Sequence, residues 1–106
     1  MSDGKIFSRG GPLLPRAVRG EGAYIIDASG RRYLDAAGGA IVVGIGHGRA
    51  DVAAAAAEQV GRIAYAHGSA FTADALESWA SEVGPLLPIR DASLYPVSGG
   101  SEAAET

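Results

Sequence analysis

The end of this 106-residue chain carries its best candidate for chemistry. The loop Ser98–Glu102 follows a short β-prone run, residues 92–97, and leads into an alanine-rich segment that is typical of a starting helix. The first turn of a helix offers backbone N–H groups and the positive end of a dipole, and glycine lets a phosphate approach the backbone closely. The loop therefore suits an anion, with Gly99, Gly100 and Ser101 as candidate ligands. Glycine-rich turns of this kind also occur for purely geometric reasons.

Two better-known motifs do not fit this loop. No lysine follows the glycines, so the loop is not the P-loop of nucleotide-binding proteins. Ser101 is not enclosed by glycines at the spacing Gly-x-Ser-x-Gly, so a nucleophile elbow is not supported either.

A second glycine-rich segment, residues 36–48, surrounds one apolar run with five glycines. It is either a tight buried connection or a loop that lines a ligand pocket. His47, between two glycines, is either catalytic or a turn histidine bonded to backbone. Two histidines in all, His47 and His67, and no cysteine are too few for a convincing metal site made by the protein alone.

Composition excludes several classes of protein. A net charge of -3 without any cluster of Lys and Arg argues against nucleic acid or an anionic membrane surface as a partner. The longest apolar stretch, residues 36–46, is far shorter than the roughly 20 residues of a membrane span. The start of the chain lacks the apolar run of a secretory signal, and the absence of cysteine fits a cytoplasmic location.

The pattern of residue types predicts an α+β arrangement. Residues 1–20 have no period and are predicted to form an irregular arm. A β-hairpin is predicted over residues 23–35, where two β-prone runs flank a three-residue loop that ends in Gly30. Helical spacing then predicts helices over residues 50–63 and 73–83, before the strand expected at residues 92–97.

The second helix carries the clearest boundary signals. Thr72 is predicted to cap it, Phe71 and Leu76 occupy the positions of a hydrophobic staple, and Gly84 begins the Gly-Pro pair that ends it. Trp79 lies in its apolar stripe and is predicted to anchor a core rather than to touch a substrate.

The core of the chain is thin. Leu, Ile, Val and Phe make up 23 of 106 residues, only just above the level of about 20% below which disorder is expected. The chain also stops one turn into its last predicted helix, and a nucleus of one turn is costly. We therefore expect a fragment of a longer protein.

Across most of its length the chain resembles the N-terminal part of the class III aminotransferases of the omega-transaminase kind. The matching features occur in the family's order from about residue 7 to residue 106. They are residues 19–24 (RGEGAY), 27–35 (DASGRRYLD), 46–48 (GHG), Gln59, 65–67 (YAH), 71–72 (FT) and 98–106 (SGGSEAAET).

The resemblance implies fold type I and pyridoxal 5'-phosphate as cofactor. It also implies a division of the chain into an arm (residues 1–20), part of the small N-terminal domain (21–70) and the truncated beginning of the large, cofactor-binding domain (71–106). The first strand, the loop and the first helix of the large domain would start in this last part. By position, Gly100 and Ser101, beside Gly99, would bind the cofactor phosphate, and Ile41 and Val42, in the stretch that begins at Ala40, would border the substrate pocket.

The function implied is transfer of an amino group between an amine or amino acid and an oxo acid, in a homodimeric parent enzyme. Related aminomutases, decarboxylases and epimerases share this segment. The family's catalytic residues have no counterpart here, including the lysine that forms a Schiff base with the cofactor. Lys5 is the sole lysine, in a glycine-rich arm that would neither desolvate nor orient it. The fragment alone is therefore expected to be inactive. The alternative hypotheses are a non-catalytic module that binds a small anion and a structural fragment that forms an interface.

Overall fold

The computed structural model describes residues 14–106, which divide into two compact units at the boundary between Ala56 and Ala57. Lys5 and the first 13 residues of the predicted arm lie outside the described residues. The elements, in chain order, are β1 (Ala17–Glu21), β2 (Tyr24–Asp27), β3 (Arg32–Leu34), α1 (Gly38–Ile41), α2 (Ala50–Arg62), α3 (Asp74–Val83), a 3₁₀ turn (Gly84–Leu86) and α4 (Gly100–Glu105). The predicted α+β class is confirmed.

The three strands form one antiparallel sheet in the order β1-β2-β3. The predicted hairpin is confirmed, since β2 pairs with β3 and Gly30 adopts a φ of +86° in the connecting turn. Because β2 is the central strand, its side chains are the best covered. Ile26, 4% exposed, is the one buried apolar side chain among residues 14–106.

Strand β1 corrects one prediction. Residues 17–20, assigned to the irregular arm, pair instead with the open edge of β2, with an irregularity in register between Ala17 and Arg19. The segment has no β-type alternation, so its conformation comes from pairing with β2 rather than from its own propensity. Glu21 adds to this arrangement by forming ion pairs with Arg19 and with Arg32 of β3.

Both predicted helices are present, as α2 and α3. The longest helix, α2, has 13 residues. Within the described part of the chain, no helix is long and apolar enough to cross a membrane. Neither helix has a buried residue, and Trp79 keeps 42% of its surface exposed, so it is not the core anchor that the pattern predicts.

The predicted cap of α3 is wrong by one residue. The N-cap position is Ala73, and Thr72, one residue earlier, donates its hydroxyl to the carboxylate of Glu77 at 2.6 Å. A side chain in that position is too far back to reach the amides of the first turn. With Ala73 as the N-cap, the two positions of a staple are those of Thr72 and Glu77. A polar pair therefore replaces the apolar contact predicted between Phe71 and Leu76.

The strand predicted at residues 92–97 is also wrong, because this segment has no regular structure. A strand needs a partner, none of the described residues pairs with it, and Pro96 removes one donor. Helix α4 does begin where the sequence predicts a helix start, with Gly99 as its N-cap and Gly100 as its first residue.

Candidate functional site

The loop Ser98–Glu102 presents a set of unused backbone donors. Gly99, the N-cap of α4, is extended, and the first helical hydrogen bond runs from the Ala103 N–H to the Gly99 carbonyl at 3.0 Å. The N–H groups of Gly100, Ser101 and Glu102 precede this bond, so the helix itself provides them with no acceptor. A Cβ built on Gly99 or Gly100 would meet no heavy atom of residues 14–106 within 4 Å. The three predicted phosphate ligands thus share one exposed helix start with open space around it.

Glu102 shapes this loop from within. Its carboxylate turns back and accepts hydrogen bonds from the Ser98 N–H, at 3.0 Å, and from the Ser98 hydroxyl. The side-chain bond first, and then the backbone bond, lowers the pKa of Glu102. The carboxylate of Glu102 therefore binds Ser98 and does not compete with an anion for the backbone amides of the first turn. The sequence shows an acid in the first turn but does not indicate this pairing.

The segment of residues 36–48 lies on the surface, so its interpretation as a buried connection is wrong. Ile41 is 95% exposed and Val42 is 77% exposed. The apolar run begins in α1, which is a left-handed turn with φ angles from 57° to 69° over Gly38–Ile41.

A surface pocket of about 420 Å³ lies against the second half of this segment. Its lining residues are Gly22, Ala23, Asp35 and residues 43–47. Ile41 and Val42, the residues expected to border the substrate, do not line it. The alternative interpretation, a loop that lines a pocket, therefore fits residues 43–47, and the assignment of Ile41 and Val42 to a substrate pocket stays a prediction.

His47 combines the bonding expected of a turn with a second interaction. Its backbone N–H and carbonyl pair with Gly22 at 2.8 and 3.0 Å, as expected for a residue bonded to backbone. Its ring is bonded differently, because Nε2 lies 2.8 Å from Oδ2 of Asp35. This contact, and then the Gly39 N–H, lowers the pKa of Asp35. Asp35 was missed by sequence reasoning, and the only local signal was an acid that directly precedes the glycine-rich segment.

The chain is similar to known aminotransferases over nearly its whole length. The family model described as "Aminotransferase class-III" matches residues 6–106. An uncharacterized aminotransferase, YodT, of Bacillus subtilis is 37% identical over 81% of this chain and 19% of its own length. A probable aminotransferase of Mycobacterium tuberculosis is 38% identical over 87% of this chain and 20% of its own length. Human alanine–glyoxylate aminotransferase 2 is 33% identical over 82% of this chain and 17% of its own length.

The chain thus spans about one fifth of the length of the curated relatives it matches. The family match includes the sheet, the glycine-rich segment and the loop before α4. The chain belongs to the class-III aminotransferase family.

Proposed function

We propose that this chain supplies part of the cofactor site and of the substrate pocket of a pyridoxal 5'-phosphate-dependent aminotransferase. The reaction is transfer of an amino group between an amine or amino acid and an oxo acid. The observation that carries the proposal is the class-III match across residues 6–106. The relatives support it, since they are named as aminotransferases.

The residues at the start of α4 fit the phosphate of this cofactor. The group is a dianion, and Gly99, Gly100 and Ser101 offer amide donors, a hydroxyl and room for close approach. The cofactor, when bound, supplies an aldehyde that takes up amino groups and a ring that accepts electrons from the substrate carbon. In this proposal the chain's own task is to hold the phosphate and thereby orient the ring.

Ile41 and Val42 are proposed to border the substrate. Both side chains are apolar and exposed, and they lie at the end of a left-handed turn. They would contact an apolar part of the amine or oxo acid and contribute by excluding water from it.

The proposal extends to a cytoplasmic homodimer of fold type I, in which residues 71–106 begin the large domain. Many large apolar side chains are exposed in the described part of the chain, which supports burial against further protein. The chain's sole lysine is Lys5, in the glycine-rich arm. We therefore propose that the chain alone does not transfer amino groups and that a lysine elsewhere in a longer polypeptide does this chemistry.

Amino transfer by two proteins tests the proposal. One is the 106-residue chain, and the other is a polypeptide of the relatives' full length that includes it. Each is incubated with cofactor, an amine donor and an oxo acid, and the new amino acid is measured. We expect product from the longer protein alone. Product from the short chain would contradict the assignment of the missing lysine.

Two further outcomes separate the alternatives. Cofactor uptake by the longer protein without amino transfer would favour an aminomutase, decarboxylase or epimerase reaction. Binding of inorganic phosphate by the short chain, with no uptake of cofactor by the longer one, would favour the anion-binding module.

A further inference from the structure

The carboxylate of Asp35 ties together the two ends of the glycine-rich segment. Its Oδ1 accepts the Gly39 N–H at 3.2 Å, near the start of the segment. Its Oδ2 lies 2.8 Å from Nε2 of His47, near the end. His47 is in turn fixed to the sheet, because its backbone exchanges two hydrogen bonds with Gly22.

The ring of His47 is closely confined. A Cβ added to Gly20 of β1 would lie 2.3 Å from Cβ of His47, so the imidazole packs directly on the backbone there. The side chain of His47 is 23% exposed and that of Asp35 is 10% exposed. A hydrogen bond to an ionised carboxylate is shorter and stronger than a neutral one, and partial shielding from water strengthens it further. Nothing local in the sequence requires the pair, since the two residues are twelve apart.

The segment that this pair encloses is under strain. Ala40 and Ile41 have φ angles of 64° and 69°, in a region that non-glycine residues, and β-branched ones above all, rarely occupy. Ile41 is 95% exposed, so packing does not hold it there. Two sets of hydrogen bonds restrain the turn at its base. The N–H groups of Val42 and Val43 both donate to the Gly38 carbonyl at 2.9 Å, and the Gly39 N–H donates to the Asp35 carboxylate.

We propose that Asp35 and His47 act as a clamp that sets the position of Ile41 and Val42, which makes Asp35 a positioning residue for the apolar part of the substrate. This inference rests on the proposed function, in which these two side chains border the substrate pocket. Residues 36–46 contain no charged or polar side chain. The favoured amine donor therefore carries an apolar substituent rather than a second charged group.

Amide hydrogen exchange in the 106-residue chain tests the clamp itself. His47→Ala removes the ring, and His47→Gln keeps an amide donor that can still reach Asp35. We expect exchange at Gly39 and Val42 to become about tenfold faster in the alanine variant, as expected for loss of one charged hydrogen bond, and to recover largely in the glutamine variant. Asp51→Asn, which removes an exposed carboxylate that pairs with Arg49, is the matched control and should change neither amide.

The amides of Ile25 and Ile26 report whether the sheet remains folded. Unchanged exchange at Gly39 and Val42 in His47→Ala, with the sheet intact, would overturn the clamp. If the sheet unfolds in that variant, hydrogen exchange is measured in Asp35→Asn instead, because this substitution is nearly isosteric. Unchanged exchange at Gly39 in Asp35→Asn would equally overturn the proposal.

Donor preference tests the consequence for substrates. In the full-length polypeptide, kcat/KM is measured for an amine with a long apolar substituent and for one with a methyl group. We expect Asp35→Asn to lower the ratio of the two values about tenfold, which is the discrimination that a few misplaced apolar contacts provide. An equal loss for both donors would overturn the positioning role. If the unsubstituted protein transfers no amino group, the proposed function is refuted. The hydrogen-exchange measurements would still test the clamp, because they do not depend on activity.

Discussion

The N–H of Ser98 donates to the carboxylate of Glu102 at 3.0 Å, so the residue before the glycines is tied to the first turn of the helix after them. The bond closes the loop Ser98–Glu102 on itself and lowers the pKa of Glu102. Because the folded pKa is the lower one, the contribution of this bond is present above the ordinary pKa of glutamate. It is lost as the pH falls through the folded value.

This sign gives a prediction for the loop. We expect the amide proton shift of Ser98 to titrate with a midpoint below that of an unperturbed glutamate, as followed by NMR in acid. Glu102→Gln keeps an acceptor without the titrating charge and should abolish the transition. A transition that persists in that variant would show that another group is responsible.

Cofactor retention distinguishes the side-chain ligand from the backbone ligands at the start of α4. In the full-length polypeptide, Ser101→Ala should weaken pyridoxal phosphate binding by about ten- to a hundredfold, because one hydrogen bond to a charged group contributes roughly 1.5–3 kcal/mol. Gly100→Val should weaken it far more, since a branched side chain would occupy the space that the phosphate needs. Equilibrium dialysis measures both.

The structure indicates that neither substitution should disturb the fold, so a difference in cofactor retention would report on the site itself. Within the described part of the chain, no heavy atom lies within 4 Å of a Cβ at Gly100, and the φ of Gly100 is not positive, so the valine variant should fold normally. Ser93→Ala, at an exposed serine outside the loop, is the control. Equal cofactor retention in Gly100→Val and the unsubstituted protein would remove Gly100 from the site.

Gly20→Ala should destabilise the unit of residues 14–56. The new methyl group would lie 2.3 Å from Cβ of His47 and force either the ring or β1 to move. Overpacking of this kind costs about 1–3 kcal/mol in the free energy of unfolding, measured with denaturant. Gly61→Ala is the matched control. Its methyl group meets nothing within 4 Å, and alanine is the better helix former by up to about 1 kcal/mol, so this variant should be unchanged or more stable.

Asp27 should make the hairpin sensitive to strong acid. Its carboxylate accepts hydrogen bonds from the hydroxyls of Ser29 and Tyr33 and from the Ser29 and Arg31 amides, which lower its pKa to about 2. The lowered value means that the stabilisation is complete above the unfolded pKa of about 4 and disappears as the pH falls towards 2.

NMR titration of the Ser29 amide checks this midpoint. Asp27→Asn should remove the transition, whereas Asp74→Asn, at the start of α3, should leave it in place. A midpoint near the ordinary value for aspartate would contradict the role of the turn in holding this charge.

The sequence predicts elements best where their signals are local. The β2–β3 hairpin follows from two β-prone runs and Gly30, and α2 from a long run of alanine with apolar residues at helical spacing. Strand β1 could not be predicted, because Ala17–Glu21 has no strand pattern and becomes a strand only by pairing with β2. The strand expected at residues 92–97 has the pattern but lacks a partner.

The candidate sites divide in the same way. The glycines and serine at the start of α4 are contiguous, so their type and order alone predict an anion site. The bond between Asp35 and His47 spans twelve residues and depends on the sheet, which brings Gly22 to His47. No periodicity contains that information, because it arises only when distant backbone segments pair.

The left-handed turn α1 has the handedness that chains of D-amino acids prefer. The strain at Ala40, with φ of 64° and ψ of 46°, arises from the L-configuration of that single carbon. A chemically synthesised chain with D-alanine at position 40 should therefore melt at a higher temperature than the natural one, whereas D-alanine at Ala55, inside right-handed α2, should melt lower. Mirror-image substitution would thus locate the strain in this fold by stereochemistry alone, with no change in composition.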